Sequence, residues 1–433
     1  MGRGPTTPTA KRMDMPTHPR EPAPLPQETE TRPTETPIAV PGGTPPHATQ
    51  QDTSVHSGGH PDGSASQPIT STASPLKPST TPRKVSRGLA AQISTLKLKQ
   101  GICLRTLLTA HRFRVIRTID VAVCCFAERP FKAALTAAQR AMRGMVKAEL
   151  LRRYRTDRFQ TVYGLTQKGV DWLEDAGFEA SSSVRRVSDM TNPEHRLWAQ
   201  FWTLACEARG LAAMTEQELL QSLNKGIQLG QPLVQGLLTV TTMRGPKTNT
   251  VQLRPDAVAT EPDGKTWLEV DRSKRGADRE ASLGALCLSV GRPLKDGSTL
   301  RRVVIFCKSE RIYKRAIAVV NELAKAHNGE LLVSGRRHFR PVGPGSYAVW
   351  TGLESPLKDG RTKPVDTLVG HVLVQMLPIW LPKVRVDTSN THSLAGWFDE
   401  NYLPYRRPDT LPAWGTVASP LLSMRATGIR LET

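Results

Sequence analysis

The chain has 433 residues, of which 38% are hydrophobic, and its formal net charge is +20 at pH 7. That length allows roughly two or three domains, and the positive charge predicts an acidic polymer as partner, nucleic acid before a membrane surface. The sequence has no uninterrupted apolar run of about 18 residues, no apolar signal-peptide core and no CxxC spacing. We therefore expect a cytoplasmic protein without a membrane partner or a zinc ribbon.

Residues 1–88 differ in composition from the rest of the chain. They hold 17 of the 34 prolines and are otherwise rich in Thr, Ser, Gly and Gln. Such a segment buries too little apolar surface to offset the entropy cost of ordering, so we predict a disordered Pro/Thr/Ser-rich tail. Its nine Lys and Arg nearly balance seven Asp and Glu, so +18 of the net charge falls on residues 89–433.

The segment after Phe131 predicts a helix with two contrasting faces. It is preceded by a predicted helix and an apolar run, at Leu89–Arg117 and Ile119–Phe126. At helical spacing, one side of the new helix carries Ala138, Met142 and Met145. The opposite side carries Arg140, Arg143 and Lys147. A helix with a core stripe and a basic stripe is what a reader of the DNA major groove needs.

Two short β-rich runs, LLRRYR and TVYGLT, follow this helix and are joined by the basic loop Thr156–Gln160. Thr166 is the predicted N-cap of a further helix, Gln167–Ala176, which Gly177 ends. Helix, β-hairpin and helix in this order are typical of a winged helix, which we place at residues 89–180. Residues 87–180 hold 17 Lys and Arg against eight Asp and Glu.

The basic residues of this predicted domain are the expected contacts with double-stranded DNA: Arg140, Arg143, Lys147, Arg152, Arg153, Arg155 and Arg158. Stripe, hairpin and domain charge agree, which favours DNA binding over a merely solvated basic face. Docking of another protein on the winged helix remains open at this point.

A layered, mixed α/β domain is predicted over residues 189–335, after a Ser/Arg-rich linker at Ser181–Ser188. Pro193 begins a predicted helix whose first turn contains Glu194 and His195. The simplest expectation is that Glu194 interacts with the helix dipole and that His195 is a half-buried histidine. The following predicted elements are Leu237–Met243, the hairpin Leu253–Asp271, Ala277–Val290, Arg302–Cys307, Ser309–His327 and Glu330–Ser334. Helices that alternate with buried strands favour this architecture.

The hairpin at Leu253–Asp271 is expected to gather acidic side chains. Its turn reads Glu-Pro-Asp-Gly, in which the proline presets φ and the glycine tolerates a positive φ. Alternation along the second strand places Trp267, Glu269 and Asp271 on one face, and pairing brings Asp256 near them. A divalent cation and an arginine partner both remain open as explanations. The nearby arginines are Arg254, Arg272 and Arg275.

The sequence lacks the motifs GxxxxGK[ST], GxGxxG, HExxH and GxSxG, so nucleotide hydrolysis and Rossmann chemistry have no support. A helix acid followed by the hairpin acids resembles the PD-(D/E)XK nuclease superfamily. Pro255-Asp256 matches its first element and Glu269 its second, whereas Asp271 stands in place of the lysine. This resemblance implies catalytic Asp256, Glu269 and Asp271, with Lys274 as a candidate substitute, and Mg²⁺ held by Glu194, Asp256 and Glu269.

A winged helix that ends in VYGLTQKG, followed by NPEH, RPDAVAT and LEVDRS, resembles the replication-relaxation family of plasmids and other mobile elements. The resemblance covers roughly residues 100–310. It implies a bacterial protein that processes DNA on a plasmid or an integrative mobile element. Its implied partners are double-stranded DNA and other replication or relaxosome proteins.

Residues 336–433 are assigned as a C-terminal extension of unknown role. They contain a mostly apolar run at Leu368–Leu381 and a late aromatic group of Trp397, Phe398, Tyr402, Tyr405 and Trp414. Next to Arg406 and Arg407, these aromatics suit stacking on single-stranded DNA. Packing of a small subdomain is the interpretation we favour.

The sequence therefore predicts a non-catalytic DNA-binding accessory factor that acts in replication, relaxation or mobilisation, with a degenerate nuclease-like domain. The replaced lysine favours this over a Mg²⁺-dependent DNA endonuclease, which needs Mg²⁺ only if it is active. The acids gathered on the hairpin favour the endonuclease in turn over a transcriptional regulator.

Overall fold

The structure is a computed structural model that describes residues 95–155, 161–180, 193–244, 247–271, 276–326, 336–356, 361–377, 401–417, 419 and 421. Several predicted features lie outside the described residues: the tail 1–88, the linker Ser181–Ser188, Arg158, Lys274 and the strand Glu330–Ser334. The side chain of Glu194 also lies outside them.

The N-terminal part of the described chain is a helical unit that contains one β-hairpin. Its elements are α1 Thr95–Phe113, α2 Thr118–Phe126, α3 Phe131–Lys147, β1 Leu151–Arg155, β2 Thr161–Leu165 and α4 Gln167–Asp175. β1 and β2 pair antiparallel. Ile116, between α1 and α2, exchanges two main-chain hydrogen bonds with Tyr163 of β2, so the hairpin is tied to the first helices.

Both ends of α4 follow from local sequence, as predicted. The Thr166 side chain accepts a hydrogen bond from the Gly169 N–H at 3.0 Å, which satisfies one of the open donors of the first turn. Gly177 has a φ of +81°, and its N–H and that of Phe178 donate to carbonyls of the last turn. This is the bonding of a Schellman ending, which requires a left-handed residue and so favours glycine.

The remaining described chain is a mixed α/β structure. Its elements are α5 Pro193–Ala208, β3 Ala212–Thr215, α6 Glu216–Leu223, β4 Leu238–Arg244, β5 Lys247–Leu253, β6 Ala257–Glu261, β7 Gly264–Asp271, α7 Ala277–Leu288, β8 Leu300–Cys307, α8 Glu310–Ala326, β9 His338–Gly343, β10 Ser346–Pro356 and β11 Thr362–Met376. The mixed α/β class, the hairpin, and the helices and strands predicted between residues 237 and 327 are confirmed.

Seven strands form one mixed sheet in the order β3-β6-β7-β8-β11-β10-β9, and β4 and β5 form a separate ribbon. β7, β8 and β11 run parallel, and the other neighbours pair antiparallel. The sheet extends past the boundary drawn at residue 335, because β9, β10 and β11 supply three of its strands. The assignment of residues 336–433 as an extension is corrected here. The pairing of β11 with β8 joins residues 69 positions apart, such as His371 and Arg302, which no local pattern encodes.

The two faces of the sheet belong to two hydrophobic cores. On one face, Leu268, Val270 and Phe306 share a core with α5 and with the buried side chains of α1, α2 and α3. On the other face, Trp267 and Ile305 pack with α7 and α8. Alternation along β7 therefore sends its residues to opposite cores, as the sequence predicted. Most buried side chains of the helical unit complete the first core, and Val115 and Val162 form a small separate cluster with Leu197 of α5.

The turn between β6 and β7 requires its glycine. Gly264 has a φ of +142°, and a Cβ at this position would meet the Thr299 carbonyl oxygen at 2.5 Å. L-residues rarely adopt this backbone region, and the contact is with main chain that does not yield. The predicted Glu-Pro-Asp-Gly turn is confirmed.

Helix α5 joins the helical unit to the sheet through buried charge. Arg117 and Asp120 form an ion pair at 2.9 Å with side chains 2% and 0% exposed. The Arg117 guanidinium also donates to the Leu197 carbonyl of α5, and Gln200 of α5 donates to Asp120 at 3.1 Å. At the other end of α5, Glu207 accepts from Arg112 of α1 at 2.7 Å.

Within the described residues, no helix combines the length and the apolar composition needed to cross a membrane. All six cysteines lie in the described part of the chain, and each is a free thiol.

Candidate nucleic-acid interface and acidic hairpin site

Helix α3 presents a basic stripe, which we define as Arg140, Arg143 and Lys147. All three side chains are exposed, whereas Ala138, Met142 and Met145 are buried against the helical unit. The sequence pattern encodes this arrangement directly, because helical spacing separates the two sets around the axis. The structure therefore brings the three predicted α3 residues to one solvent-facing surface.

The hairpin after α3 continues the positive charge. Arg152, Arg153 and Arg155 of β1 are exposed, and Arg158 lies outside the described residues. The Arg152 guanidinium stands 5.6 Å from the ring centroid of Tyr154, a cation–π contact that holds its side chain against the strand. Neighbouring residues of β1 point to opposite faces, so Arg153 and Arg155 share one side of the hairpin.

The acidic hairpin site is defined here as His195, Asp256 and Glu269. Asp256 precedes β6, and its Oδ2 accepts the Val270 N–H at 2.6 Å, which fixes the carboxylate across the hairpin. His195, in the first turn of α5, places Nε2 3.0 Å from the same oxygen. The hydrogen bond that His195 donates to Asp256 raises the pKa of His195, burial lowers it, and the negative charges of Asp256, Glu269 and Glu216 raise it further. The site therefore favours a protonated imidazole beside its carboxylates.

Glu269 and Asp271 lie on the predicted face of β7 but in different surroundings. Glu269 Oε1 accepts a hydrogen bond from Trp267 Nε1 at 2.8 Å, which orients the carboxylate along the strand. Asp271, at the end of β7, is 5% exposed, and its carbonyl accepts the Lys308 N–H. Its side chain thus lies against the sheet rather than in open solvent.

The arginines expected near these acids are not described as partners of Asp256. Arg254 pairs with Glu216 at 3.4 Å, and Arg272 and Arg275 lie outside the described residues. Asp256 pairs with the histidine instead. From its position in the sequence, His195 was expected only to be a half-buried histidine. Its place in the first turn of a helix did not by itself indicate that it faces Asp256, because sequence spacing does not show that this helix lies beside the hairpin.

Of the predicted Mg²⁺ ligands Glu194, Asp256 and Glu269, only Asp256 and Glu269 have side chains among the described residues. Among the described residues, no group of three or more His, Cys, Asp and Glu side chains is arranged to hold a metal ion. Asp256 already accepts from His195 and Val270, and Glu269 accepts from Trp267. Asp256 and Glu269 therefore form no three-ligand metal group by themselves, and the third predicted ligand, the side chain of Glu194, lies outside the described residues.

A second charged cluster at the other end of the hairpin was missed from sequence. We call it the buried network: Glu261, Thr266, Arg302, Tyr405 and Arg407. Glu261 accepts from Tyr405 at 2.6 Å and from Arg407 at 2.8 Å, and its Oε1 lies 3.6 Å from Arg302. The buried network joins the segment 401–417 to β6, which lies more than 140 residues earlier in the chain. No spacing rule anticipates such a contact.

The late aromatic residues pack rather than stand exposed. Tyr402 and Tyr405 are 0% exposed, and Tyr402 makes edge contacts with Phe131 and Phe201. They join the main core instead of forming the expected small subdomain. Trp397 and Phe398 lie outside the described residues.

No family model, curated protein or solved structure matches this chain.

Proposed function

We propose that this protein is a double-stranded-DNA-binding accessory factor of a plasmid or an integrative mobile element, acting in replication, relaxation or mobilisation. The observation that carries the proposal is the exposed basic stripe of α3, opposite a fully buried stripe on the same helix. Solvent-facing guanidinium and ammonium groups neutralise phosphates and release their counterions.

The arrangement around α3 supports a winged-helix assignment. α2 and α3 are joined by a short turn, and a two-stranded hairpin with exposed arginines follows α3. In such a module α3 reads the major groove and the hairpin contacts the backbone. The PD-(D/E)XK-like interpretation of the sheet rests on Asp256 and Glu269 together with the family resemblance, and Asp271 in place of the superfamily's lysine favours a degenerate centre.

The test is DNA binding by the variant Arg140→Ala/Arg143→Ala. Removal of two phosphate contacts should weaken affinity for a duplex and lower the salt slope by about two, since each contact contributes about one. Fluorescence anisotropy with a labelled duplex at several salt concentrations measures both. The matched control is Arg279→Ala/Arg311→Ala, which removes equal charge from exposed positions on α7 and α8. Unchanged affinity and slope in the α3 variant would rule out the winged-helix interface.

A second candidate function is a metal-dependent DNA endonuclease. The observation in its favour is that the Asp256 carboxylate is hydrogen-bonded to the Val270 N–H, next to Glu269 on β7, so the two predicted acids lie on the same strand pair. Supercoiled plasmid incubated with the protein and Mg²⁺ or Mn²⁺ should then be nicked by the wild type. Glu269→Gln should not cleave, although it keeps the oxygen that accepts from Trp267. Retarded but intact plasmid with the wild type would exclude this second function.

A further inference from the structure

The C-terminal segment 401–417 forms, with the end of α5, a cavity of about 560 Å³. We call it the arginine trough, and its functional groups are Arg209, Arg406, Arg407 and Trp414. No aspartate or glutamate is among the described residues that line it. Arg407 is paired with Glu261 at 2.8 Å, so Arg209 and Arg406 supply the other guanidinium groups of the lining. A concave surface with a surplus of guanidinium groups attracts anions, since low-dielectric walls focus the field.

Hydrogen bonds to main-chain groups fix the shape of the arginine trough and the positions of its arginines. Arg209 donates to the main-chain carbonyls of Asn401 and Gly415, which fixes the two ends of the segment. The main chain of Arg406 is held by the Gln375 amide at 2.9 and 3.2 Å, so its exposed side chain is carried on a fixed backbone. Preorganised donors lose less entropy on binding.

Arg407 and Trp414 form the aromatic part of the trough. The Arg407 guanidinium lies 3.6 Å from the centroid of the Trp414 ring, and Trp414 Nε1 donates to the Tyr405 carbonyl at 2.8 Å. The Trp414 side chain is half-buried, and Arg407 Nε is buried without a hydrogen-bond partner among the described residues. A planar cation stacked on an indole is a surface on which a nucleobase stacks.

The trough continues past Arg406 and Arg407, which also line an adjoining cavity of about 680 Å³. That cavity adds Tyr313 and Lys314 of α8. Two carboxylates also line it: Glu310, which is paired with Lys314 at 2.9 Å, and Asp409. Two neighbouring cavities with a common wall suit an extended polymer better than a single small ligand.

We propose that the arginine trough binds single-stranded DNA. Bases of an unpaired strand can reach the indole, whereas duplex bases are covered by their stacked neighbours. This inference goes beyond the duplex binding proposed for α3 and uses residues of a different part of the chain, so the two proposals stand or fall separately.

The experiment is anisotropy with the full-length protein and a fluorescein-labelled oligothymidylate of about twelve nucleotides, a length that spans more than one base-stacking site. The variants Arg406→Gln and Trp414→Ala should each weaken binding by about tenfold or more, because each removes a phosphate contact or a stacking platform. Arg279→Gln, an exposed arginine on α7, should change it little. Arg140→Ala/Arg143→Ala should retain oligothymidylate binding, and the trough variants should retain duplex binding.

Trp414→Phe distinguishes a binding role from a structural one. It keeps an aromatic face but loses the hydrogen bond to Tyr405, so it should retain most of the affinity. The proposal is overturned if the wild type does not bind the oligonucleotide, if Arg279→Gln weakens binding as much, or if Trp414→Phe behaves like Trp414→Ala. Equal displacement of the oligonucleotide by inorganic polyphosphate would also overturn it, because charge alone would then account for binding.

Discussion

At the residue scale, His371 is a buried histidine kept neutral by its surroundings. Its side chain is 1% exposed, and Nε2 lies 2.7 Å from the Thr410 hydroxyl. Burial lowers the pKa of His371 to about 4, with a further lowering from the charge of Arg302, its neighbour across the strand pair, and a smaller opposing effect of Asp263. The strand position that packs the ring also excludes its charged form.

This gives a prediction for stability against pH. Because the folded pKa lies below the unfolded one, the unfolded chain takes up a proton first as pH falls, and stability is lost between about pH 6.5 and pH 4. By about pH 4.5 the loss should reach roughly 2–3 kcal/mol, at about 1.4 kcal/mol for each pKa unit. Urea unfolding at a series of pH values measures it. His371→Gln should show a shallower decline over this range, and parallel curves would contradict the assignment.

At the element scale, α5 connects the helical unit to the sheet. Its first turn carries His195, its middle is bound to Arg117 and Asp120, and its last turn accepts from Arg112. Two charges buried this deeply are costly to desolvate. They are tolerated because they pair with each other, Arg117 also donates to Leu197, and Asp120 also accepts from Gln200. The position of the helical unit, with the basic stripe of α3, relative to the β6–β7 hairpin is thus set by hydrogen bonds as well as by apolar contact.

Breaking the buried pair should be far more costly than replacing it. Asp120→Asn leaves Arg117 charged and buried, so we expect the free energy of unfolding to fall by about 3–5 kcal/mol. Arg117→Met with Asp120→Leu should lose much less, because no unpaired charge remains. Glu310→Gln is the control, since it breaks an exposed pair with Lys314 and should cost under about 1 kcal/mol. Denaturant unfolding that ranks the double variant below Asp120→Asn would contradict this account.

At the scale of the whole molecule, the first core is shared by elements that the sequence places in separate domains. Met142 of α3 and Leu373 of β11 are both 0% exposed and belong to the same cluster, although 231 positions separate them. Apolar burial is therefore cooperative between the proposed winged helix and the sheet. Neither part retains a complete core when the other is removed.

Calorimetry tests this cooperativity. Met142→Ala and Leu373→Ala should each cost about 2–5 kcal/mol and should lower the same unfolding transition. Two separate transitions, with Met142→Ala moving one and Leu373→Ala the other, would show that the helical unit and the sheet unfold independently.

The sequence by itself determined the features that depend on neighbours along the chain. The two-faced helix α3, the caps of α4, the Glu-Pro-Asp-Gly turn and the alternation of Trp267 with Leu268 along β7 all follow from local spacing and backbone preference. These rules act over a few residues, so one sequence suffices to apply them.

Only the tertiary structure decided which distant residues meet. The insertion of β11 beside β8, the partnership of His195 with Asp256 and the capture of Glu261 by Tyr405 and Arg407 join segments that lie tens to more than a hundred residues apart. Such contacts are selected by the packing of the whole core and by the need to pair every buried charge. The basic stripe of α3 takes no part in core packing and stays in solvent, so local sequence alone determines its charge.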